Sequence, residues 1–598
     1  MAEYKNPNQP GGGGQDSRSL LVFTALFVAI LVGLQYFKPK HPAAPRSSTT
    51  VSSPAPASAP VAANAAAAPQ PGAARNAAAS AGPQISATQA TTTTVENELY
   101  KITFTNRGAQ VTSWILKKYT NYAGKPLDLV SPEAAQRFGY PLSVFTADPN
   151  LRQQINQAMF VASASGTVQA PTQLSFQYSA GGLTVRKVFT FGNDYVIHGT
   201  VSATRDGAPI GAMLAWPAGF GDQRQAADYS KDQKIDRSSY SKAESLAPKK
   251  VENRQQMTGS LDWGGVSDLY FAAMFLPDNP ADATFVTLHH TLGVPADPDQ
   301  PNSKLVPQPI LGAAMGSAAA TSSMRIFAGP KTLSVLKSIR GTGPNGKDTG
   351  PDLVPIVHYG MWSIIAKPLF YLLRWVYHHI VPNWGWAILV LTVVITLAMF
   401  PTRWTMMKSS IKMQRIQPQL NAIKEKYKKY KFDDPRKQEM NREMQDLYRK
   451  EGVNMFGGCL PMVIQFPLIF AFYAMLENAI ELRHAHWFWL HDLSQPDPLH
   501  ILPFLMVGSQ FFFQLFTPSP GVDAAQQKMM AFTMPLFSGF ITWHYASGLA
   551  LYWAGSNLIG IGQQMLINRT KLGREMRAMQ ARRAARKKGL KPAAAVRR

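Results

Sequence analysis

The chain has 598 residues, enough for several domains, and its 45% hydrophobic content is ordinary for a soluble protein, so membrane segments are local and diluted by a large polar part. A single cysteine, Cys459, excludes an intrachain disulfide framework and the usual cysteine-rich zinc sites. The net charge of +24 points to anionic partners only where it is concentrated.

After a polar segment at 1–18, residues 19–37 (SLLVFTALFVAILVGLQYF) form an apolar run between Arg18 and Lys38, long enough for a tilted span. A cleaved signal peptide would have a shorter apolar core ending in small residues. This run ends in Gln35-Tyr36-Phe37, and it reads as an uncleaved signal anchor. Residues 38–94 are Ala, Pro, Ser and Thr with almost no large apolar side chain, the composition of an extended tether.

From 95 to 355 the pattern is that of a mainly β domain, a sandwich with Gly- and Pro-rich loops. Tyr100, Ile102 and Phe104 alternate with Lys101, Thr103 and Thr105, the period of a half-buried strand. Leu183–Phe191 and Tyr195–Val201 flank Gly192-Asn193-Asp194 as a hairpin. The domain carries no catalytic constellation.

At 361–381, Lys367, Tyr371, Arg374 and His378 form one polar stripe on an otherwise apolar helix. Just before a span, it reads as an amphipathic helix lying in the membrane interface, with a helix packed on the β domain as the alternative. Five more spans follow, at 384–400, 456–477, 501–516, 529–545 and 547–567. Seventeen residues rise only about 25 Å against a hydrocarbon core of about 30 Å, which implies a locally thinned bilayer. The third span holds Gly457-Gly458, Pro461, Gln465 and Pro467, residues that a simple anchor would not carry and that face protein or a water-filled cavity.

Residues 401–454 carry fourteen Lys and Arg against seven Asp and Glu, and the tail at 568–598 carries twelve against one. By the positive-inside rule these two regions are cytoplasmic, the loop from Ala479 to Leu499 lies outside, and six spans put both termini inside with the β domain periplasmic. Met413, Ile416, Leu420, Ile423, Tyr427 and Tyr430, then Met440, Met444 and Leu447, make the seam of a basic helical hairpin broken at Asp433-Asp434-Pro435. Its outer face presents Lys408, Lys412, Arg415, Lys428 and Lys429, and Arg403 stands near its root. The tail carries Arg582, Arg583, Lys587 and Lys588, suited to anionic lipid or ribosomal RNA.

Polar side chains recur on one face of several spans: Thr392 and Thr396, Gln465, Gln510 and Gln514, Ser538 and Thr542, then Trp553, Asn557, Gly560 and Gln564. Singly they read as interhelical glue. Together they read as a polar groove inside the bundle. No Asp, Glu or Lys stands at the centre of a span, which argues against a proton relay. His484, His486 and His491 are interfacial residues beside Trp487 and Trp489 rather than a ligand set, and no nucleophile motif or phosphate loop is present. No cofactor, metal or small-molecule substrate is expected.

The segments Asn383-Trp384-Gly385, Gly457-Gly458-Cys459-Leu460-Pro461 with Gln465-Phe466-Pro467, His491-Asp492-Leu493-Ser494, Ser547-Gly548-Leu549, Leu551-Tyr552 and Ser556-Asn557-Leu558 resemble those of the YidC membrane protein insertases, of the Gram-negative type with a large periplasmic domain. The resemblance covers about 361–570 and implies a non-enzymatic insertase and chaperone that receives nascent spans in a groove and releases them to lipid, alone or with the Sec translocon and ribosome. It places Tyr552 and Trp553 in that groove beside Thr392, Thr396, Gln465, Gln510, Gln514 and Asn557. The family usually has a groove arginine where this chain has Thr396, while Arg403, two turns further on, is expected at the cytoplasmic mouth. The alternative is a secondary transporter or channel with a fused binding domain, which would need inverted repeats or buried ionisable groups.

Overall fold

The computed structural model describes residues 84–223, 232–297, 300, 302–317, 321–343, 345–430, 434–453, 460–516 and 524–587. The signal anchor, most of the tether, Gly457-Gly458-Cys459, Asp433 and Lys588 lie outside the described residues.

Three sheets build the β domain. The largest runs, in spatial order, through Lys242–Leu246, Lys234–Ser239, Leu261–Ser267, Phe271–Pro277, Thr321–Pro330, Val196–Arg205, Leu183–Phe191, Thr172–Ala180 and Val161–Ala162, with Ala208–Ile210 paired beside Val196–Arg205. The expected hairpin is present, Ile197 opposite Phe191 and Val201 opposite Lys187. A second sheet joins Pro126–Asp128, Gln110–Thr120, Tyr100–Thr105, Thr92–Glu96 and Gly166–Gln169; a third joins Gln256–Thr258, Ala283–Pro295, Leu305–Ser317, Met213–Trp216 and Ser143–Phe145. Inward aromatic residues connect them: Phe104 of the second sheet meets Phe176, Phe189 and Phe191 of the first at 5.3–5.9 Å, and Trp114 meets Trp216 of the third at 5.5 Å.

The domain starts earlier than the expected boundary at 95. Ile85 exchanges both backbone hydrogen bonds with Ser179, and Thr92–Glu96 fills a place between Tyr100–Thr105 and the parallel strand Gly166–Gln169. Backbone pairing recruits this β-branched threonine run, which carries too little apolar surface to announce itself.

One strand breaks its own alternation. In Leu183–Phe191, Leu183, Val185, Phe189 and Phe191 point inward, and so does Lys187, fully buried. Its Nζ donates to the carbonyls of Gly108, Ala109 and Leu142 at 2.8–2.9 Å, one acceptor for each ammonium hydrogen. Burial pushes its pKa down to about 7, and the three acceptors work against that shift.

Short helices α1 (Pro132–Phe138), α2 (Pro149–Gln157) and α3 (Leu333–Ser338) complete the domain. The helical part follows: α4 (Ser363–His379), α5 (Trp384–Ala398), α6 (Phe400–Lys426), α7 (Arg436–Lys450), α8 (Leu460–Glu477), α9 (Ile501–Phe516), α10 (Ala524–His544), α11 (Ser547–Arg569) and α12 (Lys571–Lys587). Among the described residues no single helix is both long and apolar enough to cross a bilayer by itself; Gly360–His379 and Trp384–Ala398 reach that length together, bent by 120°. α4 buries Ala366, Leu369, Phe370, Leu373 and Val376 and turns Tyr371 and His378 outward. α6 and α7 form the expected antiparallel hairpin, with Ile416 and Leu420 packed against Met444 and Leu447 and with Glu443 bonded by Lys426 and Tyr427. α12, within the polybasic tail, folds back along α6, because Leu572, Met576 and Met579 form an apolar stripe that covers Met407 and Ile411, and Arg415 pairs with Glu575.

Candidate functional site at the centre of the helical bundle

Three of the motifs singled out in the sequence, at 383–385, 491–494 and 547–548, meet at one end of the bundle. Asn383 caps α5, accepting from the Trp386 amide, and donates to the His486 carbonyl at 3.0 Å. Gly385 touches the Trp487 indole so closely that an added Cβ would stand 2.3 Å from it. In the loop between α8 and α9, Asp492 Oδ1 accepts from the Ser494 amide and hydroxyl, while the carbonyls of Leu493 and Gln495 receive the amides of Gly548 and Ser547 at the start of α11. The loop therefore ties α5 to α11. His484 bonds the Thr120 carbonyl of the β domain at 3.1 Å, and His486 and His491 stand 5.4 Å apart.

Deeper in the bundle α11 lies between α5 and α9. Gly555 admits Leu389 of α5, where a Cβ would approach to 2.9 Å, and Thr392 packs beside it, fully buried, its hydroxyl spent on the Ile388 carbonyl at 2.6 Å. Thr396 is also buried; its carbonyl accepts from Gln563 Nε2 at 3.0 Å. Asn557 donates to Ser509 Oγ at 3.3 Å and to Met506 Sδ at 3.4 Å across the contact with α9. Tyr552 stacks on Phe472 of α8 at 3.9 Å. Two buried amide oxygens, Gln510 Oε1 and Gln563 Oε1, have no hydrogen-bond partner among the described residues. Such atoms are costly in a dry interior.

Arg403, expected at the cytoplasmic mouth, is half-buried: Nη1 occupies the notch left by Gly560 of α11, and the guanidinium lies over the Phe513 ring of α9 at 5.4 Å. Only Met399 separates α5 from α6, so Arg403, on the first turn of α6, is still within reach of α11, and the glycine supplies the room. Its ring contact is a weak substitute for a carboxylate, and none among the described residues pairs with it. A guanidinium without a carboxylate partner can bind an incoming anion or polar backbone.

The other predicted residues divide. Gln465, Gln514 and Trp553 are half-buried on α8, α9 and α11. Ser538 and Thr542 of α10 bond their own helix, on a face set against α9 where Gly539 meets Val507. Lys408, Lys412, Arg415, Lys428 and Lys429 are exposed on the hairpin; Arg582, Arg583 and Lys587 fall on α12, and their side chains lie outside the described residues. Sequence reasoning missed Ser509, Phe513 and Gln563. Gln563 alone offered a signal, a second glutamine beside Gln564 in an apolar helix.

Two family models match the chain, one described as the YidC periplasmic domain over residues 92–372 and one as the 60Kd inner membrane protein over residues 375–574. A membrane protein insertase YidC of Ralstonia nicotianae is 32% identical over 541 residues, covering 85% of this chain and 89% of the relative, and one of Pelobacter propionicus is 32% identical over 588 residues, covering 93% and 99%. A solved structure described as an active YidC insertase with the first transmembrane domain resolved is 17% identical, covers 82% of this chain and 95% of its own, and has a TM-score of 0.33. With both the β domain and the helical bundle matched and relatives about a third identical along nearly the whole length, the chain belongs to the YidC family of membrane protein insertases.

Proposed function

We propose that this inner-membrane insertase receives a nascent span between α5, α9 and α11, at the level of Arg403, and releases it sideways into lipid. The observation that carries the reading is the Arg403 guanidinium, seated against Gly560 and Phe513 in the bundle with no carboxylate paired to it among the described residues. Thr392, Thr396, Gln465, Gln510, Gln514, Tyr552, Trp553 and Asn557 form the polar wall of that route. Thr392, Thr396, Tyr552 and Asn557 are buried between packed helices, so substrate reaches them only when α5 and α11 part. Polar flanks of the substrate exchange water for these side chains in steps, which lowers the cost of desolvation, and burial of its apolar segment in lipid drives the transfer. No covalent step is needed.

In this reading α5, α8, α9, α10 and α11 cross the membrane with residues 19–37, giving six spans with both termini cytoplasmic. Phe504, Phe512, Phe532, Leu536, Phe537, Phe540 and Leu566 are exposed large apolar side chains, as lipid contact requires. Trp375, Trp386, Phe488 and Trp543, also exposed, form an aromatic belt at the β-domain end. α5 and α9, of 15 and 16 residues, rise about 22–24 Å, which favours a thinned bilayer. The basic hairpin and the 568–598 tail meet ribosome, Sec translocon and anionic lipid on the cytoplasmic side.

Photo-crosslinking from Thr396, Gln510 and Gln514 to a stalled single-span substrate tests the route. Adducts are expected there and not from Phe537 or Leu566 before release. Equal labelling at the outward positions would remove the proposal.

A further inference from the structure

The loop between α8 and α9 has a second face, turned to the β domain. There Arg483 is buried, its side chain 1% exposed, with Nη1 3.6 Å from Oδ2 of Asp222, itself 7% exposed. The rings of Tyr122, Phe271 and Tyr270 surround the guanidinium at 4.9, 5.2 and 5.6 Å. His484 on the Thr120 carbonyl and Gln495 on the Tyr122 hydroxyl flank it. A guanidinium this deep is tolerable only with matched charge. Asp222 is the carboxylate set against it; burial and Asp222 push the neighbouring Asp268 carboxyl well above the usual carboxylate range, and the buried Lys331 donates to the Asp268 carbonyl at 2.8 Å.

We infer that Arg483 is a positioning residue of the insertase: it pins the loop to the β domain and, through that loop, holds the adjacent ends of α5 and α11 together, so that these helices part only at their opposite ends. The chain of contacts is continuous. Asn383 and Gly385 of α5 meet His486 and Trp487, and Ser547 and Gly548 of α11 meet Gln495 and Leu493, within twelve residues of Arg483. The inference rests on the proposed passage between α5 and α11. It gives the large β domain a mechanical part in insertion, as the fixed end of a hinge.

The test uses the full-length protein in proteoliposomes, with Cys459→Ser and cysteines placed at Thr120 and His484 for a short bismaleimide. Arg483→Met is expected to slow that crosslink about tenfold and to lower insertion of a single-span substrate by a similar factor, since one partner of a buried pair is left behind. Arg483→Met with Asp222→Asn removes both charges and is expected to return both readouts to within about twofold of the parent, which separates pairing from misfolding. Insertion that falls in Arg483→Met while the crosslink stays fast overturns the inference. So does a lost crosslink with unchanged insertion, or a double variant as poor as the single one. Substrate labelling at Gln510, followed in the same samples, reports on the passage itself: its absence in the parent protein counts against the passage and leaves the loop crosslink to be judged separately.

Discussion

Nη1 of Arg403 lies 2.8 Å from where a Cβ on Gly560 would stand, so the guanidinium fills space that only glycine leaves. The two residues act as one feature of the bundle. Gly560→Ala should expel the arginine, and Arg403→Gln should remove its charge. Each is expected to lower insertion of substrates with an acidic flank about tenfold, the worth of one charge-assisted hydrogen bond, with under about twofold effect on neutral-flanked substrates. The pair should be non-additive, the double variant no worse than either. In vitro insertion of matched acidic and neutral substrates measures this.

Gly385→Ala places a methyl group 2.3 Å from the Trp487 indole, inside the contact that joins α5 to the loop. Overpacking of this kind costs about 1–3 kcal/mol. The melting temperature of the detergent-solubilised protein should fall, and Trp487→Leu in the same chain should recover part of the loss.

Acid weakens the β domain through His290. Its ring stacks on Phe138 at 4.4 Å, and burial, with His289, Arg254 and Arg152 nearby, pushes its pKa down to about 4. The unfolded chain binds that proton near pH 6.5, the folded chain only near 4, so stability is lost as pH falls from about 6.5 to 4 and changes no further below. The loss is on the order of 2 kcal/mol. His290→Phe should flatten this part of the pH profile, read from tryptophan fluorescence of the domain, in which Trp114 and Trp216 are buried.

Lys187→Met should cost about 3 kcal/mol. It leaves the carbonyls of Gly108, Ala109 and Leu142 without their shared donor, a penalty only partly offset by removing a buried charge. Denaturant unfolding of the β-domain transition would measure it.

Much of this architecture was legible in sequence because its signals are periodic. The 183–201 hairpin, the stripe on α4 and the seam of the α6–α7 hairpin each come from spacing that backbone geometry converts directly into a face. Asn383-Trp384-Gly385 was legible as a family mark, and its physical meaning, a cap followed by a close approach to Trp487, needed coordinates. Long-range partnerships were not legible. Nothing around Asp222 announces a guanidinium 261 positions later, and nothing around Arg403 tells that Gly560 leaves it a notch. Thr392 shows the converse limit: its place on a polar face was readable, but its hydroxyl bonds its own helix, an economy that spacing cannot reveal.

The three carbonyls around Lys187 come from two separate turns, at Gly108-Ala109 and at Leu142, and the amine from a strand later in the chain. Until all three segments are in place, that ammonium faces a half-built shell and favours water. A partly assembled domain is thereby penalised, which sharpens cooperativity and makes folding all-or-none. A scarcity of half-folded forms is itself protection against proteolysis, which acts on opened states.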